Sequence, residues 1–175
     1  MADRAQQHIA DVLLRMSDED QRVRRAVMDL DAARRAVVEL DAVNTARLRE
    51  IVDAIGWPTR SKVGELAEHR AWLLVQHADA DRDFQRSCLE LMKAETPSEV
   101  CPQHIAYLED RLAIAAGRPQ RYGTQLHPAA TGALEPLAVD DPDHVDERRA
   151  AVGLVPLAEY VATASREHRP TAARP

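Results

Sequence analysis

Val37–Ile55 (VVELDAVNTARLREIVDAI), then Gly56-Trp57-Pro58-Thr59, then Ser61–Ala78 (SKVGELAEHRAWLLVQHA) is the stretch whose reading decides the fold. At about 100° of turn per residue, Val37, Leu40, Leu48, Ile51, Val52 and Ile55 share one helix face. On the second run Val63, Leu66, Ala67, Leu73 and Leu74 do the same. Gly56 suits the position just past a helix end, and Pro58 cannot continue a helix. The corner therefore turns the chain back, and the two helices are expected to pack antiparallel with their apolar faces together.

Polar residues interrupt both stripes. Asp41 and Asn44 fall inside the first, and Arg70 and His77 inside the second, about two helical turns apart. A buried carboxylate is costly unless it is paired or hydrogen-bonded, so Asp41 needs a partner, and Arg70 or His77 is the expected one. His69, Trp72 and Gln76 form another stripe, read as lying on the far side of the same helix. A later helix, Pro102 to Ala116, buries Ile105, Leu108, Leu112 and Ala115. His104, Tyr107 and Arg111 line one margin of that face, and Asp110 points elsewhere.

Working outward, Met1 to Met16 reads as a short amphipathic helix, and Ser17-Asp18-Glu19-Asp20 as a capped new start with acids in its first turn. Helical signal continues to Ile55, with a break near Asp29 to Asp31. Ser61 is the expected cap of the helix to Ala78, and Asp79 or Asp81 opens another, to Ala94. Gly117 and Pro119 close the helix that begins at Pro102. Gly123, Pro128, Gly132 and Pro136 then mark an irregular insertion near 120–139, with a small hairpin expected to pair Tyr122–Leu126 with Leu134–Val139. Asp140-Asp141-Pro142 opens a short helix that Gly153 stops, and Pro156 to Ala164 is the last helix. The expected architecture is an all-α, or nearly all-α, helical bundle forming a single domain over 1–165, with a flexible tail over 166–175.

Composition agrees. The chain has 175 residues, 45% hydrophobic and 30% charged. A chain of that length buries roughly 70% of its unfolded surface, enough for a core without staples. Trp57, Trp72, Phe84 and three Tyr are its only aromatics. Leu, Val, Ile and Ala must therefore fill the core, which favours packed helices. A net charge of −6 argues against sequence-independent nucleic-acid binding, which needs a basic footprint. No run approaches the roughly 18 apolar residues of a membrane span, and the charged start is not a signal peptide. Cys88 and Cys101 make no disulfide framework, so free thiols and the cytoplasm are expected.

Known chemical signatures are missing. No Gly-rich phosphate loop, C-x-x-C or H-E-x-x-H motif occurs. His77, Asp41 and His104 do not follow a known metal-ligand spacing, and neither metal nor cofactor is expected. Ser61 and Ser98 read as caps and Cys88 as a core residue. What points to a site is convergence: Asp41, Asn44, Arg70, His77 and Arg111 fall on inward faces of three helices, the raw material of a polar pocket.

Six segments carry a resemblance: Gly56-Trp57-Pro58-Thr59, Gln76-His77-Ala78-Asp79, Tyr107-Leu108-Glu109-Asp110-Arg111, Gln120-Arg121-Tyr122-Gly123-Thr124-Gln125, Arg148-Arg149-Ala150-Ala151-Val152-Gly153-Leu154 and Pro156-Leu157-Ala158-Glu159-Tyr160. Together they resemble an uncharacterised family of bacterial domains of unknown function, over roughly Leu13 to Val161. The resemblance implies a mainly helical bacterial domain and supplies no reaction. It draws attention to Gln120–Gln125, where Tyr122, Thr124 and Gln125 would touch a ligand if the segment covers the helical pocket. The alternative is a loop whose side chains stitch it to the bundle.

Two functions from different classes fit this sequence. In the first, a small enzyme acts on a polar or anionic small molecule or peptide group. His77 is the general acid or base, Asp41 fixes its tautomer, Asn44 donates to developing charge, and Arg70 and Arg111 hold the anion. In the second, a ligand-binding or protein-interaction domain uses the same polar cluster as structure.

Overall fold

The computed structural model describes residues 4–25, 30–129 and 133–168. Among them are eight α-helices and one two-stranded hairpin, so the fold is mostly helical. The chain divides into two compact units, Met1–Ile105 and Ala106–Pro175.

The first unit holds α1 (Arg4–Arg25), α2 (Leu30–Ile55), α3 (Arg60–Val63), α4 (Glu65–Gln76), α5 (Arg82–Lys93) and the start of α6 (Pro102–Ala115). α1 packs against both α2 and α4, and α2 against α4. The corner after α2 forms as expected: Gly56 takes φ +70°, and Trp57 is buried beneath it. Lys62 Nζ donates to the carbonyls of Ile55 and Trp57 at 2.8 and 3.0 Å. A cation thus satisfies backbone acceptors at the negative end of α2. The expected Asp81 start also stands: its carboxylate accepts from Phe84 N at 3.0 Å and caps α5.

Three expectations in this unit are corrected. α1 is continuous through Ser17, because Ala10, Leu13, Ser17 and Asp20 form one fully or nearly buried stripe. Burial along the helix outweighs the local capping preference of Ser17. The helix after the corner is split at Gly64, which takes φ +85°. Thr59 stands at the N-cap position of α3, and the Ser61 N–H goes to the Glu99 carboxylate at 2.9 Å. Finally, α4 is buried on more than one side: Ala67, Glu68, Ala71, Leu74, Val75 and Gln76 are all inside, whereas Leu66 is 57% exposed. A one-sided stripe was the wrong template for a central helix. The break expected near Asp29 to Asp31 falls partly outside the described residues; α2 begins at Leu30.

The second unit holds the rest of α6, strands β1 (Leu126–Pro128) and β2 (Leu134–Pro136), a single 3₁₀ turn at Pro142–His144, α7 (Val145–Ala151) and α8 (Leu157–His168). The strands pair antiparallel with Leu126 opposite Pro136 and Pro128 opposite Leu134, a shorter hairpin than expected. Tyr122–Gln125 is drawn away from it by Asp110. That fully buried carboxylate accepts the N–H groups of Arg121 (2.7 Å), Tyr122 (3.0 Å) and Thr124 (2.9 Å), and the Thr124 hydroxyl (3.0 Å). Gln120 replaces the missing ladder. Its side-chain amide donates to the Gln125 and Leu137 carbonyls and accepts from Gln125 N. Arg149, also fully buried, donates to the carbonyls of Tyr122 and Val155, both at 2.6 Å. α8 runs through His168, so 166–168 are helical; 169–175 of the expected tail lie outside the described residues.

Candidate functional site

α1, α2 and the end of α4 bring three charged side chains and an imidazole together. Asp20 and Arg24 are one turn apart on α1, and Arg24 donates to Asp20 Oδ1 from Nε at 3.0 Å. The same guanidinium bonds Asp41 on α2. His77 stands at the C-cap of α4 with Nδ1 3.1 Å from Asp20 Oδ2, an ion-pair contact without hydrogen-bond geometry. Fully buried Gln85 fixes the end of α4 by donating to the carbonyls of Val75 (2.9 Å) and Gln76 (3.4 Å).

The two carboxylates differ in environment. Burial works to raise Asp20, but His77 and Arg24 outweigh it and hold the carboxyl at about 2. Burial dominates at Asp41 and raises its carboxyl despite Arg24. Asp41 and His77 both line a cleft of about 650 Å³ that also presents Thr45, Arg49 and Asp81. That volume is in the range of small-molecule sites. Asp20, Asp41 and His77 each bring one ligand atom within 4.8 Å of the others. A divalent ion could use that geometry only in competition with Arg24, which already sits on both carboxylates.

The expected seam therefore brings Asp41 close to His77, and Asn44 is buried one turn further along α2 with its Nδ2 unpartnered. The expected pairing of Asp41 with Arg70 does not form: Arg70 lies 3.7 Å from Asp18, and Arg24 takes Asp41. Nor does Asp41 fix the imidazole, since Asp20 is the carboxylate against Nδ1. Asp20 and Arg24 were missed because the acids at 18–20 read as a helix start. Continuing the Ala10–Leu13–Ser17 spacing by one turn would have found them.

Arg111, Thr124 and Gln125 form a chain in the second unit. Arg111 Nη1 donates to Gln125 Oε1 at 3.2 Å, and Gln125 Nε2 donates to Thr124 Oγ1 at 3.1 Å. Tyr122 is 8% exposed and Thr124 3%. These contacts are the stitching of the loop.

A second polar cluster lies in the first unit and was also missed. His104 Nδ1 stands 3.0 Å from Oε1 of fully buried Glu68, and His104 Nε2 stands 3.1 Å from His69 Nδ1. Trp72 stacks on His104 with centroids 4.3 Å apart and donates its indole N–H to the His104 carbonyl at 3.1 Å. The stripe assigned to the far side of its helix is thus an interior face. Glu68 beside His69 and Trp72 was the available signal.

A family model described only as a family of unknown function (DUF6624) matches residues 7–167. No curated protein and no solved structure matches the chain significantly.

Proposed function

The chain belongs to DUF6624, a family of unknown function, and we propose that the cleft between α2 and the end of α4 performs general acid–base chemistry on a small polar molecule. The observation that supports this is the sharing of one cleft by His77 and Asp41, with Asp20 against the imidazole from behind. Asp20 stays ionised and lies 3.1 Å from Nδ1, where its charge favours the imidazolium that forms when Nε2 takes a proton. Asp41, whose carboxyl is raised, is the partner acid; environments that push two carboxyls apart suit paired acid and base roles. Arg49 on the cleft wall is paired with Asp81 at 2.5 Å, and Glu50 and Asp79 line the same cleft, so an anionic substituent would have to displace Asp81 to reach it. In this reading Asn44, buried with its Nδ2 unpartnered, is given no substrate contact, and neither are Arg70, Arg111, Tyr122, Thr124 and Gln125. No helix of the described residues is long and apolar enough to cross a membrane. Two free cysteines suit a reducing bacterial cytoplasm, where the proposal places the protein.

The test is a thermal-shift screen of small anionic and polar metabolites, followed by NMR detection of turnover for each stabilising compound. The wild type should convert at least one compound, and His77→Gln should lower the rate by about 10²–10⁴-fold. Full activity in that variant overturns the assignment. The ligation of both carboxylates by Arg24 favours a second reading, a structural ion-pair network without chemistry. It is supported instead if no compound shifts the melting temperature while Arg24→Gln lowers it.

A further inference from the structure

The Glu68–His104–His69 chain ends at a second cleft of about 400 Å³, lined by Arg60, Glu65, Leu66, Glu68, His69, Cys101 and His104. Two buried polar atoms there have no partner: Oε2 of Glu68 and Nε of Arg60. Native interiors satisfy nearly all such atoms, and each exception calls for an explanation. Glu68 is wholly buried, whereas His69 is half-buried. The inner end of the chain is therefore closed and its outer end reachable.

The hydrogen-bond chemistry sets the protons. An ionised Glu68 only accepts, so His104 donates through Nδ1–H. Neutral His104 then has a lone pair on Nε2 and accepts from His69 Nδ1–H. That leaves the lone pair of His69 on Nε2. We infer that this cleft is an anion-binding acid–base site, in which Arg60 holds a phosphate or carboxylate and His69 Nε2 removes a proton from the same small molecule.

The step balances. His69 Nε2 takes the substrate proton, and the electron pair of the broken bond stays on the substrate. His69 can then pass its Nδ1 proton to His104 Nε2. The resulting imidazolium lies against the Glu68 carboxylate and beneath the Trp72 ring, both of which stabilise a cation. The reverse transfer restores the chain when product is protonated. Arg60 is suited to the anion because its ion pair with Glu65 is long, 3.9 Å, and the Glu65 side chain is 82% exposed and free to swing away. Separately, burial, His104 and Arg70 lower the His69 pKa against an opposing pull from Glu68, a direction that favours the free base.

The site is independent of His77 and is tested on the full chain by histidine-selective ¹⁵N NMR across pH, with inorganic phosphate and acetate as separate probes. His69 should carry its proton on Nδ1, and His104 should carry one on Nδ1. Phosphate or acetate should raise the His69 titration midpoint; the stronger probe identifies the anion class. Arg60→Gln should weaken that response about tenfold or more without changing the tautomers. Glu68→Gln should lower the His69 midpoint. If that variant does not fold, the wild-type tautomers and Arg60→Gln decide alone. A His69 proton on Nε2, or a midpoint that neither anion moves, overturns the proposal, as does a folded Glu68→Gln with an unchanged midpoint.

Discussion

His77 Nδ1 stands 3.1 Å from Oδ2 of Asp20, a carboxylate whose side chain is 1% exposed. The contact joins α1 to the end of α4, so it ties a charge to the helix packing itself. With Arg24 it outweighs the burial cost and holds Asp20 near 2, against an ordinary value of 3.8. A depressed carboxyl contributes stability that is present above its unfolded pKa and lost as pH falls through the folded one. The contribution is about 2 kcal/mol. Chemical denaturation should therefore show stability falling between pH 4 and 2, with Asp20→Asn already low at neutral pH and flatter over that window. Asp41 has the opposite sign: its raised carboxyl stabilises most when protonated and loses that advantage as pH rises through its folded pKa.

Arg24 neutralises two carboxylates on different helices. Replacing it with Gln leaves Asp20 and Asp41 facing each other without a shared cation. Because the Arg24 side chain is 27% exposed, water offsets part of the loss, and about 2 kcal/mol is expected, below the range for a fully buried pair. The deficit should shrink as pH falls through the raised Asp41 carboxyl, whose protonated form needs no cation. Urea titrations at two pH values measure both effects.

Cys88 is fully buried, and burial pushes its thiol up to about 12. Cys101 is partly exposed on the wall of the smaller cleft. Since the thiolate is the reactive form, iodoacetamide at about pH 8 should label Cys101 in the native protein and reach Cys88 only after unfolding. Mass spectrometry of tryptic peptides gives the comparison directly.

The helical fold and the Trp57 corner were legible because apolar spacing, Gly56 and Pro58 all point the same way there. Asn44, Leu48, Ile51 and Val52 are buried on the face that spacing selects. The partners of the polar residues were less legible. Which carboxylate meets His77 depends on α1 lying against both α2 and α4, and local capping preferences at Ser17 pointed to a break instead. The Glu68–His104 contact joins α4 to α6 across 36 positions, and α4 is buried on several sides, where one-face periodicity says nothing about direction. The task of Asp110 was hidden for a related reason: its partners are mainly backbone N–H groups, which no side-chain pattern reveals.

Asp110 is the hub of the second unit's loop. An amide in its place keeps one acceptor oxygen and sets an NH₂ against N–H groups that also donate. Asp110→Asn should cost about 3 kcal/mol, the penalty of leaving buried donors unpaired. Amide hydrogen exchange should speed up at Arg121, Tyr122 and Thr124, while amides of α1 and α2 keep their protection if the loss is local. Uniform acceleration would place the effect in global stability instead.

Gly123 sits in the same turn with φ +71°, and a Cβ there would come within 2.8 Å of Leu157 Cδ1. Two separate terms oppose a side chain. The left-handed backbone costs a non-glycine residue about 1–2 kcal/mol, and the clash requires the Leu157 side chain to move. That leucine opens α8, and its N–H is held by Asp146 at 2.7 Å, so its backbone is not free to retreat. Gly123→Ala should therefore destabilise by about 2 kcal/mol or more. The double variant Gly123→Ala with Leu157→Ala separates the terms, because it relieves the clash and leaves the backbone strain. A thermodynamic cycle with a favourable coupling of about 1 kcal/mol is expected. Strict additivity would mean that the turn rejects alanine through its backbone alone.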